Sequence, residues 1–440
     1  MVIKGNSSDW GTITSGVPQG SVLGPLLFLV FINDIVDIVK SEIKLFADDT
    51  SLYLTVDHPI TAAATLNTDL SSIDEWSKRW LISFNAVKTD SMIISRKHQS
   101  PAHPPLVFQG HILNSVNNHK HLGLTLRSDL KWSDHVNLLI IRASKQLNIL
   151  KSLQYRLNRE TLEVIYTSFI RPILEYASVV WDGCAQQQSD QLESIQLAAA
   201  RAVTGAMKTT SIAKLYEEIG WETLAKRREK AKLIQIYKIV HHIGPGYLRE
   251  VFPYIPDVDT HFCHDTRRKF DIPHFRARTD LFDRSFVPSS TRLWNSLPLD
   301  TRNATSLSQF LLKIKSDIPR PVNDNSLYYV GNRLLAIQHA RIRMGSSQLN
   351  EHLYKIGVKD SPLCYCNQGI EDACHYFFVC SRYTVCRNML HSFIITVAPF
   401  TLQTLLYGGT NCCLATNKAI FLSVQNYISD TKRFYSRAIT

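Results

Sequence analysis

Two short runs with strand character, Ile43 to Ala47 and Ser51 to Thr55, are separated by Asp48, Asp49 and Thr50. Such an arrangement reads as a β-hairpin with an acidic apex. Adjacent carboxylates repel one another unless a cation neutralises them, and hard oxygen donors suit Mg²⁺. An Asp-Asp pair in a turn is more often a solvated turn, so the surrounding sequence has to decide between the two.

Upstream, residues 11 to 24 (GTITSGVPQGSVLG) read as a short β-branched strand entering a Gly/Pro-rich loop. The following PLLFLVFINDIVDIV turns helical, with Pro25 at its first turn. Glycines let backbone approach a ligand closely, and Gln19 offers an amide that both donates and accepts. Between residues 62 and 81, Leu66, Leu70, Ile73, Trp76 and Trp80 recur at helical spacing, which predicts a helix with one face on the sheet. Residues 132 to 240 are mostly helical in pattern. The stretch from 243 to 325, rich in Pro, Arg and aromatics, predicts long loops. The chain shows no internal repeat and no low-complexity tract.

At 440 residues the chain is too long for one compact core, and two or three units are expected. Hydrophobic residues at 45% and charged residues at 20% exclude wholesale disorder. A net charge of +11 favours a polyanionic partner. Lys226, Arg227, Arg228, Lys230 and Lys232 cluster in a helical pattern with Leu224, Leu233 and Tyr237, which reads either as a solvated helix face or as a phosphate contact. The N-terminus, MVIKGNSSDW, has no apolar core of a signal peptide. The stretch from Leu26 to Val39, interrupted by Asn33, Asp34 and Asp37, is too short and polar to span a bilayer, so no membrane association is expected.

Five of the nine cysteines fall between residues 364 and 386. Such clustering reads as metal binding or reduced thiols of an intracellular protein rather than a disulfide framework. The pattern Cys364-x-Cys366-x8-His375-x4-Cys380 suits a tetrahedral structural Zn²⁺ with no open position. The alternative is a group of buried reduced cysteines. Ligand choice stays open at two points, because Cys374 adjoins His375 and Cys386 follows Cys380. Cys184, Cys263, Cys412 and Cys413 read as ordinary thiols.

Taken together, the loop Gly16-Val17-Pro18-Gln19-Gly20-Ser21-Val22-Leu23-Gly24-Pro25 with its helix, followed by Phe46-Ala47-Asp48-Asp49, resembles the palm of reverse transcriptases of LINE-type (non-LTR, jockey-like) retrotransposons. Asn85-Ala86-Val87-Lys88-Thr89 resembles the family's next palm motif, whose lysine faces the polyphosphate. His121-Leu122-Gly123-Leu124, with Leu130-Lys131-Trp132 and His135 beyond it, resembles the primer-grip strand leading into the thumb. Arg171-Pro172-Ile173-Leu174-Glu175-Tyr176, Trp294-Asn295-Ser296-Leu297-Pro298 and the Cys/His cluster are similar to elements of the jockey-like branch. The resemblance implies an α+β fold: a partial palm over 1–112, primer grip and helical thumb over 113–210, a basic helical and loop region over 211–345, and a CCHC zinc-binding module with terminal helices over 346–440.

By the same resemblance the reaction is DNA synthesis on an RNA template, with a primer 3′-hydroxyl attacking the α-phosphate of a deoxynucleotide at two Mg²⁺ ions. Asp48 would be the principal metal ligand and Asp49 its support. Gln19 and Gly20 would line the nucleotide and template pocket, Lys88 would neutralise or protonate the leaving pyrophosphate, and Leu122 and Gly123 would form the primer grip. The basic run from Lys226 would meet template RNA or target DNA. Nuclear and cytoplasmic ribonucleoprotein locations follow from the family. One departure stands out. The family's first catalytic aspartate lies upstream of the glycine-rich loop, and the one acidic residue before Gly16 is Asp9, which reads as a turn residue. The expectation is therefore a fragment, without fingers and inactive alone. A non-enzymatic nucleic-acid-binding remnant is the alternative, and a host interaction scaffold is a weaker third.

Overall fold

The glycine-rich loop becomes helix where Ser21 Oγ accepts the Gly24 N–H at 3.1 Å. Helix α1 (Leu23–Ile32) is apolar all round and continues into a 3₁₀ turn, Asn33–Ile38. Only its far end is buried, at Ile32, with Ile35 of the turn beyond it, whereas Leu26, Leu29 and Val30 are exposed. The computed structural model describes residues 2–3, 6–7, 16–17, 20–95, 97, 102–252, 271–315 and 325–434. They divide into two compact units, 1–131 and 132–440.

In the first unit, β1 (Glu42–Phe46) and β2 (Asp49–Tyr53) pair antiparallel, followed by α2 (Pro59–Trp80). Leu70, Ile73 and Trp76 are the buried residues of the expected apolar stripe, joined by Ile32, Ile35, Ala86, Phe108 and Leu113. Phe31, Trp76, Phe84 and Phe108 form a chain of aromatic contacts, with centroids 6.3, 6.5 and 6.1 Å apart. Polar groups fix α2 to the segment before β1. Buried Asp69 accepts the N–H groups of Lys40 and Ser41 at 2.9 and 2.8 Å, and Asp34 accepts the Trp76 indole N–H at 3.0 Å. A second hairpin, β3 (Asn118–His121) with β4 (Leu124–Arg127), closes the unit. Every sheet among the described residues is two-stranded.

The second unit is helical among its described residues. α3 (Ser133–Leu153) packs on α4 (Gln186–Thr204), and the small Ala143 and Ala199, both fully buried, belong to their inner faces. Between them a π turn, Tyr166–Ile170, places Tyr166 in a stack with Trp221, centroids 4.2 Å apart, and its hydroxyl donates to Gln196 at 2.7 Å. α5 (Ile212–Ile219) and α6 (Leu224–Val240) follow. The stretch expected as long loops is partly helical instead. Phe286–Ser296 and Leu307–Lys313 are helices, and Trp294 and Phe310 are buried around Tyr237. Asn295 works as a bracket to the preceding segment: its side chain donates to Ile272 O at 2.8 Å and accepts Ile272 N–H at 3.0 Å.

Toward the C-terminus come α7 (Arg333–Arg343), α8 (Asn350–Lys355), α9 (Thr384–Ile394), α10 (Leu402–Tyr407) and α11 (Leu414–Asp430). All but α8 share one core with Tyr376, Phe377, Cys364 and Cys380. Buried Glu218 of α5 holds two guanidinium groups, Arg159 at 2.6 Å and Arg343 at 2.7 Å, and so ties α7 to α5. No described helix is long and apolar enough to cross a membrane.

Candidate functional site

The hairpin of the first unit is tighter than its sequence suggests. Phe46 pairs with Asp49, leaving Ala47 and Asp48 as a two-residue turn. Turns of this length need a residue with positive φ, and Ala47 supplies it at φ 50°. An L-residue in that region costs about 1–2 kcal/mol. Asp48 therefore stands at the apex, and Asp49 is the first residue of β2 rather than part of the turn. Both are exposed, and neither side chain forms an ion pair or hydrogen bond with another described residue. Their oxygens keep full acceptor capacity.

Of the residues expected around the hairpin, Gly20 is exposed with φ 84°, and an added Cβ would meet nothing within 4 Å. Its glycine is required by the left-handed backbone and not by crowding. Gln19 and Asp9 lie outside the described residues. Lys88 ends a 3₁₀ turn whose cap is Asn85 Oδ1, which accepts the Lys88 N–H at 3.1 Å, and its side chain is exposed. The turn between β3 and β4 consists of Leu122 and Gly123, with φ of 46° and 82°. Two consecutive positive φ values match the right-handed twist of the flanking strands. Leu122 is a branched residue held in a conformation that favours glycine, a kind of strain found at functional sites.

In the second unit one ligand atom from each of Cys364, Cys366, His375 and Cys380 lies within 4.8 Å of the others. Cys364 and Cys380 place their Sγ atoms 3.6 Å apart, and Cys366 Sγ is 3.1 Å from His375 Nε2. Tetrahedral Zn²⁺ with Zn–S bonds of about 2.3 Å requires S···S edges near about 3.8 Å, so the group has the size of such a site. Cys374 and Cys386 are not part of it. Local backbone explains the convergence. Cys364 N–H donates to Gly369 O, Asn367 takes φ 60°, and Leu363 bridges Ile370, folding the first two ligands into one tight loop. Asp372 Oδ1 accepts the His375 N–H at 2.6 Å at the start of a π turn that ends at Cys380.

Burial pushes the Cys364 thiol up to about 12. Cys366 is shifted down: burial opposes this, but the Gln368 N–H and the Cys364 and Cys380 thiols favour its thiolate. A cation at the centre would reverse the burial penalty, because a coordinating thiol is deprotonated outright. Around the loop sits a polar clasp that the sequence did not disclose. Glu371, fully buried, accepts from Arg433 at 2.6 and 2.7 Å and from Asn350 N–H at 2.9 Å, and lies 3.8 Å from Cys364 Sγ. Glu371 could have been noticed as the acid inside the Cys/His pattern, but nothing local marks Arg433 as its partner.

The basic run on α6 is largely paired with carboxylates. Arg228 and Lys232 are buried and both pair with Asp182 at 2.5 Å. Arg227 pairs with Glu175 and Lys230 with Glu222. Of the cations expected to meet phosphate, Lys226 alone is exposed. Carboxylates from outside the helix pair with Arg227, Arg228, Lys230 and Lys232, which leaves Lys226 as the exposed cation of the run.

Residues 1–139 match the model of the reverse transcriptase (RNA-dependent DNA polymerase) family. The chain is 29% identical over 224 residues to a probable RNA-directed DNA polymerase from transposon BS of Drosophila melanogaster, covering 48% of this chain and 25% of the relative. It is 28% identical over 224 residues to the RNA-directed DNA polymerase from mobile element jockey of the same organism, covering 48% and 24%. A Pol polyprotein from type-1 retrotransposable element R1 of Bradysia coprophila aligns at 21% over 86% of this chain and 35% of its own length. The chain thus spans about a quarter of the length of the first relatives it matches. The first 139 residues, which carry both the acidic hairpin and the Leu122-Gly123 turn, thus match the reverse transcriptase family, and the chain is similar to RNA-directed DNA polymerases of mobile elements.

Proposed function

We propose that this chain is part of an RNA-directed DNA polymerase, contributing one acidic strand turn of the polymerase site together with the primer-handling and C-terminal segments. In this reading Asp48 and Asp49 hold Mg²⁺, which supplies charge neutralisation at nucleophile and leaving group. The exposed Lys88 offers a cation to the pyrophosphate. Gln19 and Gly20 line the nucleotide and template pocket, and the Leu122-Gly123 turn supports the primer terminus. Cys364, Cys366, His375 and Cys380 hold one structural Zn²⁺. The partners are an RNA template, a DNA primer or target, and deoxynucleotides, met in ribonucleoprotein and in the nucleus.

The observation that carries the reading is the exposed Asp48-Asp49 step, without an ion pair to any other described residue, where a strained two-residue turn enters its strand inside the segment that matches the reverse transcriptase family. Like charges placed side by side at a turn that already costs backbone energy are expected where a cation is to be held. RNA-templated primer extension tests it, run on the longest reading frame that contains these residues. Asp48→Ala should reduce extension by on the order of 10²-fold or more. Extension that survives the substitution undiminished would assign the chemistry to other residues.

A further inference from the structure

The turn between the first two thiol ligands carries a side chain that the metal reading does not use. Tyr365 sits between Cys364, 1% exposed, and Cys366, yet is itself 58% exposed. Cations surround its ring. Lys359 Nζ lies 4.4 Å from the centroid and donates to the Tyr365 hydroxyl at 2.5 Å, Arg433 lies at 5.7 Å and Arg382 at 5.9 Å. Arg433 is committed to Glu371, but Arg382 is exposed and forms no ion pair with a described residue. Leu363 and Ile370, bridged across the same loop, are each 51% exposed.

We propose that Tyr365 is a stacking platform for an unpaired base of single-stranded nucleic acid, with Lys359 and Arg382 meeting the adjoining phosphates. The inference rests on the nucleic-acid reading of the chain given above. A ring more than half exposed, with cations over it, complements a base joined to phosphate, and stacking on an aromatic side chain is tolerant of sequence. Because the residues on either side of Tyr365 are the metal-site thiols, the backbone under the ring is fixed, and little ordering is needed on binding. A duplex keeps its base faces stacked internally and offers the ring nothing. The metal would then act on nucleic acid indirectly, by holding the turn.

The test uses the full chain and a labelled RNA of mixed sequence, offered single-stranded and as a duplex, with anisotropy titrations over a range of salt. Tyr365→Ala should weaken single-strand binding roughly ten-fold and leave duplex binding within about two-fold, while Tyr365→Trp retains the wild-type affinity. Lys359→Gln with Arg382→Gln should lower the slope of log affinity against log salt by about 1 to 2. Metal content, measured on each variant, should not change. Wild-type affinity of Tyr365→Ala for the single strand overturns this inference alone, as does an equal loss for strand and duplex accompanied by loss of metal, which would make the tyrosine structural. If the unaltered chain binds neither RNA, the inference and the proposed function fall together.

Discussion

Arg433, beyond the last helix, donates twice to the buried carboxylate of Glu371, which lies within the metal-ligand loop. Neither group touches the centre as a ligand, yet Glu371 also accepts from Asn350, and Asn350 donates to Leu363 O at 2.6 Å. Three distant segments are thereby fixed around four ligands. Removing one partner of a buried pair leaves an uncompensated charge, at a cost of about 3–5 kcal/mol. Glu371→Ala should therefore destabilise the second unit by about that amount in urea unfolding, and a change below about 1 kcal/mol would show the clasp to be dispensable.

If Cys364, Cys366, His375 and Cys380 hold a structural metal as proposed, the chain should carry about one Zn²⁺. Cys364→Ser should abolish tight metal binding and lower the melting temperature, as should a chelator acting on the unaltered protein, because metal binding to a folded site adds to folding free energy. Metal analysis of the purified full chain decides the point. A folded, unaltered chain retaining less than about half an equivalent would argue for a reduced thiol cluster.

The paired cations of α6 carry a different expectation from the one their sequence invites. Asp182→Ala should destabilise by about 3 kcal/mol or more, since the buried Arg228 and Lys232 both depend on its carboxylate. Lys226→Ala should change stability by less than about 0.5 kcal/mol. Thermal or urea unfolding of the two variants checks this directly, and equal effects would contradict the observed burial.

His339 predicts a pH dependence. Its Nε2–H donates to Leu405 O at 2.9 Å, and burial pushes the imidazole from the ordinary 6.5 down to about 3. A group with a lowered folded value binds its proton first in the unfolded state, so stability falls as pH drops below about 6.5 toward 3, by up to about 1.4 kcal/mol per pH unit. His339→Gln keeps a donor and should flatten that part of the profile relative to the unaltered chain. Parallel profiles would place the acid sensitivity elsewhere.

What could be read in the sequence is what is local. Leu70, Ile73 and Trp76 mark α2 by spacing alone, and Cys364, Cys366, His375 and Cys380 lie close enough in the chain for their convergence to be guessed. The acidic hairpin was legible too, although its register was not: a turn that recruits Ala47 into positive φ moves Asp49 into the strand, and residue types give no sign of that choice. The partners of the α6 cations were hidden for a complementary reason. Charge is visible residue by residue, but Glu175, Asp182 and Glu222, which neutralise it, come from outside the helix. Arg433 and Glu371 are separated by 62 positions, so their pairing follows from tertiary packing only.

The most direct test of the polymerase reading is RNA-templated primer extension in Mg²⁺ or Mn²⁺ by the longest reading frame containing these residues, with Asp48→Ala and Asp49→Ala beside it. Both variants keep the hairpin's backbone, and neither side chain holds another described residue, so folding should be unaffected. Extension that depends on the divalent ion and falls by on the order of 10²-fold in Asp48→Ala, with a smaller loss in Asp49→Ala, is the predicted result. No RNA-templated extension by the unaltered frame, or extension indifferent to both substitutions, would contradict it.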